Sequence, residues 1–271
     1  MKVTIITVAR NAASTLGATI ASVAAQDHQA IEHIIVDGAS SDGTLEIIKA
    51  NARKNLRWIS EVDAGIYDAM NKGIRIATGD LIGFLNADDY FCRRDAVSLL
   101  VKAASDHPEA DAIAAAVAMV NKRGRVRRYY RAMGFASWML KFGHMPPHPG
   151  FYARRSAFAK IGNFDAQLKV GGDFEWIVRF FRKHGLTAHY IANTVVTFRL
   201  GGASSDGVRS LMAVNKEAIK SCQRHGLSTN VLFMLSKYIV KVSQYFVRPQ
   251  DLSPCLAEYW SPYVAQTTRH R

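Results

Sequence analysis

The amino-acid sequence predicts an α/β fold in which helices cross over an open, mostly parallel sheet. Apolar runs typical of strands alternate with segments of helical periodicity through the first third of the 271-residue chain. Turn-rich stretches such as DGASSDGT separate the two kinds of segment. Because this alternation is the pattern of β-α-β units, the strands are expected to lie parallel, joined by crossover helices.

The elements follow from the same signals in chain order. The predicted strands are residues 2–8, 32–36, 57–60 and 81–85, and the predicted helices between them are residues 12–25, 44–55 and 64–77. A helix near 95–105 comes next. Two strands around a turn at 121–124 then predict a hairpin. Apolar residues spaced i, i+3, i+4 and i+7 predict another helix that begins near Asp173.

The charge of the chain is strongly unbalanced, with 35 basic and 22 acidic residues and a formal net charge of +13. This excess favours an anionic partner: nucleic acid, an acidic membrane surface or a phosphorylated small molecule. A basic but inert surface is the alternative. The second arm of the predicted hairpin carries a run of basic residues with no acid among them: Lys122, Arg123, Arg125, Arg127, Arg128 and Arg131.

Cysteine usage and apolar runs indicate the cellular setting. Cys92, Cys222 and Cys255 lie far apart, so neither a zinc site nor a disulfide framework is expected. The N-terminal residues MKVTIITVARNA lack the features of a signal peptide and read as a core strand. No apolar run reaches the roughly 18 residues of a membrane span. We therefore expect a cytoplasmic protein.

The segment from Leu227 onward changes character. In NVLFMLSKYIVKVSQYFVRPQ, basic and polar residues recur every three or four positions among apolar ones, namely Lys237, Lys241, Gln244 and Arg248. This spacing predicts a basic amphipathic helix, and we divide the chain into a main domain of residues 1–226 and a helical tail of residues 227–271. The helix is expected either to lie on an acidic membrane or to pack on the domain.

Acidic residues fall at the predicted carboxyl ends of two strands, which is the edge where open α/β sheets bind ligands. Asp37 follows the second strand, and the stretch FLNADD places Asp88 and Asp89 after the fourth. Adjacent carboxylates repel each other, and a divalent cation such as Mg²⁺ or Mn²⁺ would neutralise them. Incidental turn acids are the alternative.

Several ordered motifs resemble those of family 2 glycosyltransferases, which have the GT-A nucleotide-sugar-binding fold. The motifs are VTIITVARNAASTLGATIASVAAQ, EHIIVDGASSDGT, SEVDAGIYDAMNKGIRIATGDLIGFLNADD and GGDFEW, and the resemblance covers about residues 1–202. It is closest to bacterial transferases that build surface polysaccharides such as colanic acid. The resemblance implies a Rossmann-like, mostly parallel sheet, with residues 1–226 as the catalytic domain.

The resemblance also implies a donor site, with Asp37 on the base (uracil or thymine) and Mg²⁺ or Mn²⁺ held by Asp88 and Asp89. Asn86 replaces the first acid of the family's DxD motif, so Asp88 and Asp89 must carry the charge. The alternatives are an Asx-turn role for Asp37 and a solvated helix position for Lys72. The implied nucleotide-sugar-binding residues are Thr7, Ala9, Arg10, Asp37, Asp63, Lys72, Asn86, Asp88 and Asp89.

Asp173, in GGDFEW, matches the acid that acts as general base in inverting members of the family. A carboxylate there can take the proton of an attacking sugar hydroxyl. The alternative role for Asp173 is a helix N-cap, and Glu175 is the substitute base. The two glycines that precede Asp173 permit either close approach of substrate or a turn. His148 and Arg199 match residues that contact acceptor or diphosphate. The alternative for His148 is a structural role in the core, and the alternative for Arg199 is a place in an exposed loop.

The function implied by the resemblance is a metal-dependent, inverting hexosyltransferase reaction. The donor is a nucleotide sugar, with a UDP-sugar favoured. The acceptor is expected to be a saccharide, lipid-linked and held at the inner face of a bacterial cell membrane, with no nucleic acid as partner. Three alternatives stay open: a sugar-1-phosphate nucleotidyltransferase, which usually has a glycine-rich loop after its first strand, a basic nucleic-acid-binding module, and an inactive relative.

Overall fold

The computed structural model of the protein describes residues 1–121, 125–199 and 207–244. The strands are β1 Val3–Ala9, β2 Ile31–Asp37, β3 Leu56–Ser60, β4 Leu81–Phe84, β5 Tyr90–Phe91, β6 Ala112–Val120, β7 Val126–Tyr130, β8 Phe151–Arg154 and β9 Ala188–Arg199. The helices are α1 Leu16–Ala24, α2 Thr44–Ala50, α3 Ile66–Ile76, α4 Ala96–Asp106, α5 Arg155–Ile161, α6 Gly172–Val178, α7 Gly207–Arg224 and α8 Val231–Ser243.

The strands form one sheet in the order β3-β2-β1-β4-β8-β6-β9-β5, with β7 paired to β6. The first four strands are parallel, as predicted. Beyond β4 the sheet is mixed: β8 lies antiparallel to β4 and β6, the predicted β6–β7 hairpin is antiparallel, and β9 runs parallel to β6. The α/β class is confirmed, and the sheet as a whole is less parallel than predicted.

The central strands are buried on both faces because helices cover the sheet on each side. Ile5, Ile34, Ile35 and Leu81 have no solvent exposure. Strand β4 is held close to its neighbour by Gly83, where an added Cβ would lie 2.2 Å from the ring of Tyr152. The carboxyl end of β4, which carries the acidic stretch, is therefore fixed in the middle of the sheet.

His33 in β2 makes the stability of this core dependent on pH. Its Nε2 atom lies 3.0 Å from the Thr7 hydroxyl. Burial, followed by the nearby charge of Arg53, lowers the pKa of His33 to about 3. The unfolded chain binds a proton at His33 below a pH of about 6.5, while the folded chain does not. Folding stability therefore falls as the pH falls below 6.5.

We expect His33→Gln to flatten this pH dependence. Between pH 6.5 and 5, one proton taken up only on unfolding contributes a slope of up to about 1.4 kcal/mol per pH unit. The measurement is urea unfolding of the wild type and the variant across this range, with the surface substitution His28→Gln as control. An equally steep slope in His33→Gln would show that His33 is not the group responsible.

The predicted tail helix is present as α8, and one of its faces packs on the preceding part of the chain, which is one of the two placements that the sequence left open. Met234 and Lys237 face inward, with relative exposures of 0% and 4%. The Lys237 stem lies over Gly143, because a long aliphatic stem can be buried against apolar surface. Burial lowers the pKa of Lys237. Leu232 and Leu235 face outward instead, and residues 245–271, with Arg248 and Cys255, lie outside the described residues.

Two smaller expectations can be compared with the fold. Cys92 and Cys222 are both buried, and neither forms a disulfide within the described residues. Among the residues that the structure describes, no helix combines the length and apolar character that crossing a membrane requires.

Candidate functional site

The predicted nucleotide-binding edge lies where β1 and β2 end side by side. Ala9 is paired with Asp37 in the parallel register, and its carbonyl accepts the main-chain N–H of Gly38 at 2.8 Å. An added Cβ on Gly38 would lie 2.3 Å from Asp63 Oδ2 and 3.5 Å from Arg10 Cδ. Gly38 thus allows Arg10 and Asp63 to meet beside the end of β2.

Asp37 is completely buried and its carboxylate is already hydrogen-bonded. Oδ2 accepts the Ser60 hydroxyl at 2.6 Å and the main-chain N–H of Ser40 at 3.2 Å, and Oδ1 accepts the Ser40 hydroxyl. These bonds match the turn role that the sequence left open. They also hold the loop after β2 in place. A contact between the Asp37 carboxylate and a base would require it to exchange one of these partners.

Two predicted donor residues do not reach the open edge with their side chains. The Thr7 hydroxyl lies inside the sheet against His33. Lys72 is buried, and its Nζ atom lies 2.9 Å from Glu61 Oε1 and 2.7 Å from the Val62 carbonyl. The solvated position considered for Lys72 is therefore wrong, because the ammonium group is held under the loop that carries Asp63.

The acid cluster, defined as Asn86, Asp88 and Asp89, forms a tight turn after β4. Asp89 is fully buried, and its two oxygens accept the main-chain N–H of Arg199 at 3.2 Å and the Asn86 amide at 3.4 Å. Thr19 of α1 donates to the Asp89 carbonyl at 2.7 Å. The turn is therefore anchored to both α1 and β9.

Electrostatics in the acid cluster favour a bound cation. Burial raises the pKa of Asp88, and burial together with the charge of Asp88 raises the pKa of Asp89 well above its usual range. Arg199 opposes both shifts, and its guanidinium lies 5.3 Å from the centre of the Tyr90 ring. The structure thus brings Arg199 to the acid cluster. The following residues, 200–206, lie outside the described residues.

The donor set fits a hard divalent cation. Asp88 is only partly buried, and Asn86 Oδ1 is shielded from solvent without a hydrogen-bond partner in the described structure. No group of three or more His, Cys, Asp or Glu residues suited to a metal occurs in the described ranges. A cation here would therefore take few protein ligands, as Mg²⁺ does when it keeps waters and phosphate oxygens. Asp88 is the more accessible of the two carboxylates, and Asp89 is fully buried.

Asp173 lies in the first turn of α6, and its carboxylate is held by two donors. Oδ1 accepts the main-chain N–H of Phe174 at 2.8 Å and the Tyr67 hydroxyl at 3.3 Å. Asp173 is not the N-cap, which is Gly171. The start of α6 is instead capped from α7, where Glu217 accepts the main-chain N–H of Gly171 at 2.8 Å. Asp173 thus satisfies one first-turn donor of α6, at Phe174, while Glu217 satisfies the one at Gly171.

Tyr67 is a site residue that the sequence analysis did not identify. It is buried in α3, and an added Cβ on Gly172 would lie 2.8 Å from its ring. Burial, followed by the charge of Asp173, raises the pKa of Tyr67. Gly172 therefore makes room for the Tyr67 ring rather than for a substrate, which was one of the two roles expected of the glycine pair. Tyr67 belongs to the motif GIYDAMNKG, but nothing in that motif alone indicates a contact with Asp173.

The contacts of Glu175 exclude the role of substitute base that the sequence left open for it. It is buried and forms a bidentate ion pair with Arg179, with its closest contact at 2.8 Å. Its Oε1 atom also lies 2.9 Å from His225 Nε2. Because both oxygens are engaged inside the core, Glu175 links α6 to α7 and is closed to substrate.

His148 packs against the end of β4. Its ring stacks on Phe84, with centroids 5.3 Å apart and an interplanar angle of 19°. Its Nε2 atom is shielded from solvent and has no hydrogen-bond partner in the described structure. Burial lowers the pKa of His148 and the charge of Asp173 raises it. Asp173 is linked to the same strand end by Tyr67, whose ring stacks on Phe164 with centroids 5.9 Å apart. Phe164 packs edge-on against Phe84, with centroids 5.3 Å apart, so the acid cluster and Asp173 border one region.

Comparison with known proteins gives concordant matches. The family model described as Glycosyl transferase family 2 matches residues 4–170. A PGL/p-HBAD biosynthesis glycosyltransferase of Mycobacterium bovis is 29% identical over 213 residues, covering 78% of this chain and 79% of the relative. An uncharacterized glycosyltransferase of Mycobacterium tuberculosis is 34% identical over 180 residues, covering 65% and 68%.

Solved structures share the fold. S. aureus TarS 1-349 in complex with UDP-GlcNAc superposes with a TM-score of 0.64 at 14% identity, covering 97% of this chain and 81% of TarS. The mannosyltransferase PcManGT from Pyrobaculum calidifontis, in complex with GDP-Man and Mn²⁺, superposes with a TM-score of 0.58 at 17% identity, covering 98% and 87%. The GT-A architecture expected from the motifs is confirmed.

Proposed function

The chain belongs to the family 2 glycosyltransferases, and from this premise we propose that it is an inverting hexosyltransferase using a nucleotide-sugar donor. The observation that carries the proposal is the acid cluster at the end of β4, linked to Asp173 through the packed rings of Phe84, Phe164 and Tyr67. The family match supports neither the nucleotidyltransferase nor the nucleic-acid-binding alternative. The acceptor is a hydroxyl of a saccharide in bacterial cell-surface polysaccharide synthesis.

The donor binds along the edge formed by the ends of β1, β2 and β4. Arg10 and Asp63 flank the loop that Asp37 holds, and Asp88 and Asp89 take Mg²⁺ or Mn²⁺, which neutralises the diphosphate when bound. Arg199 adds positive charge on the diphosphate side. The TarS complex with UDP-GlcNAc and the PcManGT complex with GDP-Man and Mn²⁺ support a nucleotide sugar and a cation. We favour a UDP-sugar.

The acceptor hydroxyl loses its proton to Asp173. The Tyr67 hydroxyl and the main-chain N–H of Phe174 orient this carboxylate, so that it is positioned before the substrate arrives. The attacking oxygen displaces the nucleoside diphosphate in one step, which converts an α-linked donor into a β-linked product. His148 and the ring of Phe84 shield the region between donor and base from water.

A donor screen tests the proposal. Binding of UDP-, GDP- and dTDP-sugars is measured by isothermal titration in Mg²⁺, in Mn²⁺ and in EDTA. We expect one nucleotide, UDP, to bind with the highest affinity, and EDTA to weaken binding at least tenfold. Absence of binding for all three nucleotide classes in both metals would overturn the donor assignment.

We expect Tyr67→Phe to lower kcat for transfer and to leave donor affinity unchanged. The Tyr67 hydroxyl donates to Asp173 at 3.3 Å, so its loss leaves the carboxylate less well positioned to take the acceptor proton. A hydrogen bond to a charged group is worth about 1.5–3 kcal/mol, so kcat should fall at least about tenfold. The measurement is steady-state transfer together with donor titration, and Tyr152→Phe, which removes a buried hydroxyl under β4, is the control. An unchanged kcat in Tyr67→Phe would exclude this role.

We also propose that the enzyme lies on the inner face of the cell membrane, where its acceptor is lipid-linked. The support is an apolar surface, defined as Trp138, Phe142, Leu232, Phe233 and Leu235. Its rings are in contact, with Trp138–Phe142 and Phe142–Phe233 centroids 5.9 and 4.9 Å apart, and Lys141 lies among them. A net charge of +13 complements anionic lipid.

Vesicle co-sedimentation tests the membrane proposal. The wild type should sediment with vesicles that contain anionic phosphatidylserine and much less with neutral ones. The double variant Leu232→Asp, Leu235→Asp should lose most of this binding, because charged side chains replace the apolar contacts. Val62→Asp, which changes a highly exposed apolar residue outside the apolar surface, should bind like the wild type. Unchanged sedimentation of the double variant would contradict the proposal.

A further inference from the structure

A cavity of about 200 Å³ lies between β7 and the segment of residues 131–145. Methionine and aromatic side chains form most of its wall. The residues that line it include Tyr130, Met133, Phe135, Met139 and Met145. Methionine side chains are flexible and polarisable, and they adapt to ligands of variable shape. An apolar cavity of about 150 Å³ can take up benzene, so this one has room for a ring or a short run of hydrocarbon chain.

The cavity borders the catalytic region through two residues. The Tyr130 hydroxyl donates to the main-chain carbonyl of Met145, so β7 is tied to the segment that leads into His148. Burial raises the pKa of Tyr130 to about 12, and the charge of Asp173 contributes to the shift. A molecule in the cavity would therefore lie next to the segment that leads into His148.

The cavity and the apolar surface share one element of the fold. The short 3₁₀ helix Ser137–Phe142 contributes Met139 to the cavity wall and Trp138 to the surface. Gln244, the residue that directly follows α8, also lines the cavity. Its side-chain oxygen accepts a hydrogen bond from Arg128 of β7. Arg131, an exposed residue of the lining, places a cation at the opening.

We propose that this cavity binds the hydrocarbon portion of the acceptor next to its phosphate, with Arg131 on the phosphate. The inference rests on the proposed function, because it assigns the ligand on the acceptor side of the same enzyme. An acceptor held this way is amphipathic. Its chain enters from the apolar surface, and its sugar hydroxyl points past Tyr130 towards Asp173.

Binding of alkyl phosphates to the full chain tests the proposal. Octyl phosphate and ethyl phosphate share the phosphate and differ in chain length, and both are titrated calorimetrically below the micellar concentration of octyl phosphate. Burial of each methylene contributes up to about 0.8 kcal/mol. We expect octyl phosphate to bind at least thirtyfold more tightly than ethyl phosphate.

Two variants separate the cavity from the surface. Met133 lines the cavity yet is 52% exposed, so Met133→Asp should fold and should reduce the chain-length preference to less than threefold. Leu232→Asp, on the apolar surface outside the cavity lining, should keep the preference. A preference lost in Leu232→Asp but kept in Met133→Asp would overturn the proposal, as would equal binding of the two phosphates by the wild type.

The outcome is distinguishable from failure of the proposed function. If the chain binds a nucleotide sugar in the donor screen but shows no chain-length preference for alkyl phosphates, only the acceptor inference fails. If no nucleotide sugar binds, the donor assignment fails, whatever the result with alkyl phosphates.

Discussion

Asp173→Asn is expected to lower kcat for sugar transfer by about 10²–10⁴-fold, which is the typical contribution of a general base. Donor affinity should stay within about twofold. The asparagine amide is nearly isosteric and still accepts from Tyr67, whose hydroxyl donates to Asp173 at 3.3 Å. It cannot, however, take a proton from the acceptor. The measurement is steady-state transfer together with donor titration of the same preparation.

The control for this substitution is Asp165→Asn. Asp165 precedes the same helix and pairs with Arg224 at 3.0 Å near the surface. It should change kcat less than twofold, since its carboxylate is engaged outside the site. Transfer by Asp173→Asn within threefold of the wild type would place the base elsewhere. Glu175 would not be the replacement, because its oxygens are bound to Arg179 and His225.

Asp88→Asn is expected to weaken donor binding in Mg²⁺ or Mn²⁺ at least tenfold and to abolish the effect of EDTA. Asp88 is the partly exposed carboxylate of the acid cluster, whereas Asp89 is buried and hydrogen-bonded to Arg199 and Asn86. Loss of the Asp88 charge removes the main charged ligand for the cation. Isothermal titration of UDP-sugar with and without EDTA measures both effects.

Asp80→Asn is the matched control for Asp88, because the two acids lie at opposite ends of β4. Asp80 accepts the main-chain N–H of Lys2 at 2.7 Å at the amino end of the sheet, away from the acid cluster. Its substitution should leave donor binding and the EDTA effect unchanged. If Asp88→Asn binds donor and metal like the wild type, the assignment of the acid cluster as cation site is wrong.

The first half of the fold could be predicted because each element carries its own signal. Strands β1, β2 and β4 are apolar runs, and the helices between them have a clear period. The mixed half of the sheet could not be predicted, since β9 pairs with β6 at a separation of 76 to 79 residues and β8 joins β4 to β6. Such pairings depend on contacts between distant segments, which local patterns do not encode.

The candidate site shows the same division. Acids at strand ends are visible in the sequence because a run of apolar residues stops at them, as at Asp37 and Asp88. The contacts of Tyr67 with Asp173 and of His148 with Phe84 join elements far apart in the chain. The inward position of Lys237 could not be predicted for a related reason: helical spacing groups residues on one face but does not say which face is covered.

Release of nucleoside diphosphate from UDP-sugar is the most direct measurement of the central claim, that the acid cluster and Asp173 form one glycosyltransferase site. It is followed for the wild type, Asp88→Asn and Asp173→Asn with a saccharide acceptor in Mn²⁺. We predict cation-dependent release by the wild type, at least tenfold slower release by Asp88→Asn, and at least a hundredfold slower release by Asp173→Asn with donor binding retained. Equal release by all three proteins, or release unaffected by EDTA, would contradict the account.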